Sequence, residues 1–209
     1  MEIFAANLHG GKRQDSVPSI GAHVIATRFR QATFTMSGVR TVSFQGVSGF
    51  VQNVASAAQG EGVDRLYIHD HGYRAQEYEF SEEAAAGLEF QGDLDRRSGW
   101  SYVEIQFGIS GIHQGNFSQY ESQFRELTDV LNPGAQVVFL NCSVGRDPGL
   151  LLAFARCWEV PCTGSTAPQG GVELVNIINP RDGVWITVSP EGQIRERSSH
   201  PVWGPTPFD

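Results

Sequence analysis

Cysteine and methionine are scarce in this chain, with 3 and 2 among 209 residues. The three thiols, Cys142, Cys157 and Cys162, are odd in number, and no basic segment leads into an apolar one near the start. Neither a disulfide framework nor a secretory leader is therefore expected. Synthesis in the cytoplasm is, and delivery as a secreted effector is compatible with the same sequence. No apolar run approaches the roughly 20 residues that cross a bilayer. Positive charge is also in deficit: 15 Lys and Arg stand against 23 Asp and Glu, a net charge of −8, with no basic stripe. Neither nucleic acid nor an anionic membrane is expected as the main partner.

What is present is the composition of a folded domain, 40% hydrophobic and 18% charged, and long enough for one sizeable core. Residues 1–20 are rich in glycine and polar groups and read as an irregular lead-in. The β-branched and aromatic content of "AHVIATRF", "ATFTM" and "RTVSFQ" predicts strands, with a hairpin turning at Ser37-Gly38. "VSGFVQNVASAAQG" changes period, setting Phe50, Val51, Val54, Ala55 and Ala58 on one helical face, and the strand "DRLYIH" follows. Residues 73–115 form an insertion, with a short acidic helix over 81–87 and a hairpin of "LEFQG" and "SYVEIQFG".

"SQYESQFRELTDVLNPG" predicts a helix capped by Ser118 and Glu121 and striped by Tyr120, Phe124, Leu127 and Leu131. Asn132-Pro133-Gly134 stops it. "AQVVFLN" is the apolar run of a strand covered on both faces. "RDPGLLLAFARCW" is a helix with Asp147 as N-cap and Pro148 first, and "VPCTGS" returns as a strand. "GVELVNII" and "GVWITVSPEGQIRE" alternate like hairpin strands, and residues 198–209 form a Pro-rich arm. Helix and strand thus alternate through the middle. Residues 21–197 read as a single α/β domain with parallel strands, helices on both faces and its ligand beyond the carboxyl ends of the strands.

Two of those ends carry reactive side chains. "LYIHDHG" closes one strand with His69, Asp70, His71 and Gly72, and "VVFLNCSVG" closes another with Asn141, Cys142 and Ser143. If the two strands are parallel neighbours, His71 and Cys142 emerge on one edge, and a thiol beside an imidazole is the minimal apparatus for acyl transfer through a thioester. A helix starting near Asp147 would turn its positive end towards a thiolate, and the amides of Gly72 and Cys142 would face a developing oxyanion. Two other readings compete. His69 and His71 with Cys142 across could hold zinc, although "GYRAQEYEF" supplies no further Asp-His pair. Alternatively these groups are structural, a lone cysteine then acting as a small buried hydrophobe.

An apolar strand ending His-Gly, then one ending in Cys, then a helix and a strand, resembles the caspase-like cysteine peptidases of clan CD. More narrowly, "LYIHDHG" with "VVFLNCSVGRDPGLLLAFARCWEVPCTGSTAP" is similar to the bacterial caspase-like domains of toxins and large surface proteins, with Ser165-Thr166 at the place of their Ser-Thr pair. The resemblance covers roughly residues 47–190. It implies a caspase-like three-layer α/β/α sandwich with a mainly parallel central sheet and β-hairpin additions. It also implies a thiol protease, a hydrolase of proteins or peptides that uses no cofactor. On it His71 and Cys142 are the catalytic dyad, Gly72 contributes to the oxyanion hole, and Asp70, His69, Asn141, Ser143 and Ser165 line the binding surface. Two positions depart from the pattern: Asp70 stands where a small residue usually precedes His-Gly, and Asn141 where Gly, Ala or Asp usually precedes Cys. Some members of this branch show no peptidase activity, so the resemblance also admits a non-catalytic binding or effector module.

Overall fold

The run "AQVVFLN" lies in the middle of the protein, as its lack of polar alternation requires. In the computed structural model, residues 1–7, 28, 30–70, 72–74, 103–107, 110–166 and 183–197 are described. Seven strands make the main sheet: β1 (Glu2–Ala6), β2 (Arg40–Ser43), β3 (Val63–His69), β7 (Leu131–Phe139), β8 (Cys162–Ser165), β9 (Trp185–Val188) and β10 (Ile194–Arg197). Their order is β10-β9-β8-β7-β3-β1-β2. The five from β8 to β2 pair in parallel, whereas β9 and β10 run antiparallel and close one edge as a hairpin. A second sheet, in the order β4-β5-β6, is antiparallel and built from β4 (Gly72–Arg74), β5 (Val103–Phe107) and β6 (Ser110–Ile112). This is a mixed α/β fold with a mostly parallel centre.

Strand alternation divides the side chains between two cores. Ile3, Ala5, Leu66, Ile68, Val137 and Phe139 face helices α2 (Gly46–Ala58), α3 (Glu121–Arg125) and α4 (Pro148–Trp158). Phe4, Ala6, Tyr67, Val138 and Leu140 face the opposite way, towards Phe34 on a helix over residues 30–36, here α1. Helices therefore cover both faces. On the first face Phe154 is ringed by Phe107, Phe117, Phe124, Phe139 and Trp158, with centroids 4.9–6.1 Å away. Phe107 belongs to β5, so the small sheet joins the same core. Among the described residues no helix is long and apolar enough to cross a membrane.

Several sequence expectations need correction. Glu2–Ala6 is not part of an irregular lead-in: it is the inner strand β1, and Ile3, Phe4, Ala5 and Ala6 are fully buried. Five residues between β1's two neighbours are too few to announce themselves by pattern. "ATFTM" is helical, not a strand, because β1 and β2 pair in parallel and a parallel pair needs a crossover rather than a hairpin. Gly38, with φ +80°, turns that helix into β2. The helix expected from Ser118 shortens to a 3-10 turn over Phe117–Gln119 and α3, and no side chain caps either. Of its stripe Phe124, Leu127 and Leu131 are buried and Tyr120 is partly buried, but Leu131 already belongs to β7. Asn132-Pro133-Gly134 lies within that strand as an irregularity where its register against β3 shifts, with Gly134 at φ +82°. The 81–87 helix, "AHVIA", "LEFQG", "GVELVNII" and the 198–209 arm lie outside the described residues.

Candidate active site

The carboxyl ends of β3, β7 and β8 define one edge. Ile68 pairs with Phe139, and Leu140 continues the ladder by donating its amide to the Ile68 carbonyl at 2.8 Å. Past this point the chain turns sharply. Asn141 is fully buried, Cys142 is half-buried, and Ser143 adopts a left-handed conformation (φ 61°, ψ 8°). A non-glycine residue in that region is uncommon, and here it reverses the backbone directly after the thiol. A 3-10 turn over Val144–Arg146 follows, then Asp147, whose carboxylate accepts from the Leu150 amide at 2.9 Å and caps α4.

The turn rests on the end of β8. Gly145 lies so close that a Cβ there would stand 2.4 Å from the Gly164 carbonyl oxygen. Arg146 Nε donates to the Thr166 carbonyl at 2.5 Å, and Thr166 Oγ1 in turn bonds Val184. Ser165, fully buried at the end of β8, thus lies next to the Cys142 turn, as the sequence suggested. Asn141 and Ser143 flank the thiol but are buried, so they shape the turn from within.

His69 and Asp70 are also buried. The His69 ring lies against Phe4, and its Nδ1 is 2.9 Å from Nη1 of Arg30 on α1. The same Nδ1 also lies 3.3 Å from the Leu140 carbonyl oxygen, so Arg30, His69 and Leu140 form one buried polar cluster. The same Arg30 nitrogen donates to the Leu140 carbonyl at 3.3 Å. A cation on His69 would therefore sit beside a buried positive charge, which weakens the zinc reading. Among the described residues no group of three or more His, Cys, Asp or Glu is placed to hold a metal. His71 lies outside the described residues, and Gly72 opens β4, whose backbone pairs with Ile105.

The three cysteines differ in burial. Cys157 is held by a contact to the Glu121 carbonyl at 3.6 Å, and burial pushes its thiol up to about 11. Cys162 is wholly buried, which raises it well above the ordinary thiol range. Cys142 alone is reachable. Helix α4 begins six residues on, its Leu150 amide capped by Asp147. The cation beside Cys142 is Arg30, buried to 3% exposure and invisible to a reading that made its segment a strand. His113 is half-buried and accepts from the Gly115 amide at 3.1 Å, and burial lowers its pKa.

These ends lie together at the carboxyl edge of a parallel sheet, the position at which such folds bind ligands. No protein-family model matches the sequence, and no curated protein matches it either.

Proposed function

We propose that this protein is a cysteine peptidase of the caspase-like kind, with His71 and Cys142 as its dyad. The observation that carries the reading is the β3–β7 register. Ile68 and Phe139 are partners on adjacent parallel strands, and His71 and Cys142 each follow their partner by three residues. Adjacent strands stand about 4.8 Å apart, so the two segments that carry His71 and Cys142 leave the sheet from neighbouring strands at one edge. The half-buried Cys142 on a reversed turn, beside two inert thiols, supports the same reading.

The chemistry runs in two halves. The Cys142 thiolate attacks the scissile carbonyl carbon, and the oxyanion is held by backbone amides including those of Gly72 and Cys142. The tetrahedral adduct collapses to a thioester as imidazolium His71 gives its proton to the departing amine. Neutral His71 then takes a proton from water, the hydroxide attacks the thioester, and the Cys142 thiolate leaves. Substrate is a protein or peptide; no cofactor enters.

The test pairs a peptide-library cleavage profile with thiol mapping. Cleavage after one preferred residue type is expected, falling about 10⁴-fold or more in Cys142→Ala and in His71→Ala. Iodoacetamide at neutral pH should modify Cys142 well before Cys157 or Cys162, and more slowly in His71→Ala. Cleavage that survives Cys142→Ala would refute the dyad; no cleavage together with Cys142 labelling no faster than Cys157 would refute it and leave a non-catalytic binding module.

A further inference from the structure

A guanidinium loses much of its hydration on burial, and an interior position accepts one only where it is paired or hydrogen-bonded. Phe34 shows what α1 otherwise puts against the sheet: an aromatic ring, 4.5 Å from that of Phe4. One turn earlier the helix presents Arg30 instead, where a leucine or methionine would cover the same face without a charge. A helix crossing from β1 to β2 starts at the carboxyl edge of the sheet, so Arg30 arrives beneath the Cys142 turn. Its Nη1 reaches both His69 Nδ1 at 2.9 Å and the Leu140 carbonyl, two residues ahead of Cys142, at 3.3 Å.

We propose that Arg30 is a positioning residue for the nucleophile: it anchors the strand end that presents Cys142 and supplies the fixed positive charge that favours its thiolate. This rests on the reading of Cys142 as a nucleophile. Among the described residues, the charged and titratable groups at this edge are Arg30 from α1, His69 at the end of β3, Asp70 just after it, and Arg146 and Asp147 between β7 and α4. His69 Nδ1 is engaged with Arg30 Nη1 at 2.9 Å and the Leu140 carbonyl oxygen at 3.3 Å. Asp147 is engaged in the α4 cap and accepts from Gln114, and Arg146 is turned onto the Thr166 carbonyl. Arg30 is thus the constant cation of the set. The interaction also registers on Arg30: burial lowers its guanidinium to about 10, and the charge of Cys142 pushes it back up.

The experiment is the rate of Cys142 alkylation by iodoacetamide against pH, with modified peptides resolved by mass spectrometry and Cys157 as internal reference. In the unaltered protein the midpoint should lie at least about one unit below the ordinary thiol value near 8.5. Arg30→Met should raise it by about one unit, slowing labelling about tenfold below the midpoint. Arg30→Lys, which keeps the charge but not the planar reach of the guanidinium, should fall between the two. A folded Arg30→Met protein with an unchanged midpoint would overturn the proposal.

A second measurement needs no variant. Arg30 guanidinium ¹⁵N resonances should move on neutral alkylation of Cys142 and titrate with its midpoint; resonances indifferent to both overturn the idea. Peptide cleavage is read in parallel. Loss of the Arg30 effect in a protein that cuts peptides sinks this inference alone. A shifted midpoint in a protein that cuts nothing sinks the peptidase reading and leaves Arg30 standing.

Discussion

Replacing Gly145 by alanine tests the seat of the Cys142 turn. The added Cβ would stand 2.4 Å from the Gly164 carbonyl oxygen, 2.9 Å from the Ser165 carbonyl carbon and 3.0 Å from the Gly164 carbonyl carbon. All three are backbone atoms of β8 and its end, so no side chain can swing aside. The closest approach lies about 1 Å inside ordinary contact, and relief requires the turn to lift from the strand. Overpacking of this kind costs about 1–3 kcal/mol. Taking about 2 kcal/mol and a urea m-value of about 2 kcal/mol per molar, the unfolding midpoint should fall by about 1 M. Trp158 and Trp185 are buried, so their fluorescence follows the transition. The same lift should change the rate of Cys142 alkylation, since the thiol stands three residues before the obstruction. A midpoint and a labelling rate both equal to those of the wild type would refute this account of the turn.

Gly49 is the counter-case. It lies within α2 with nothing inside 4 Å of its would-be Cβ, so Gly49→Ala should stabilise by about 0.5–1 kcal/mol, read as a raised urea midpoint. Asp147→Ala removes the acceptor of the Leu150 amide and should cost about 1 kcal/mol by the same measurement, with Asp147→Asn costing less. Alkaline pH should destabilise the fold. Burial raises Cys157 to about 11 and raises Cys162 and Tyr67, so as pH climbs beyond about 8.5 the unfolded chain sheds protons that the folded one keeps. The urea midpoint should therefore fall between about pH 8.5 and 10.5; a rising or constant midpoint would contradict the burial of these groups.

Local signals carried parts of the fold because they act within a few residues. Asp147 and Pro148 announce a helix start in one turn of chain, and α4 begins at Pro148. The apolar face of "GFVQNVASAA" and the unbroken "VVFL" name their own environments, a one-sided helix and a doubly covered strand. Where the reading failed, long-range pairing overrode propensity. "ATFTM" has strand composition, yet its neighbours β1 and β2 are parallel, and the link between them is helical. The capping box at Ser118 and Glu121 lost to the early start of β7, which draws Leu131 into the sheet beside Val63.

By itself the sequence determined that two apolar strands are followed within three residues by His-Gly and by Cys, and that a capped helix follows the second. Those are properties of contiguous residues, written in side-chain chemistry and period. Only the tertiary structure decided that β3 and β7 are neighbours in register, that the turn after Cys142 rests on β8, and that Arg30 lies beneath it. Each of these depends on residues 20 to more than 100 positions apart, brought together by shared burial and backbone hydrogen bonding. No local pattern encodes that.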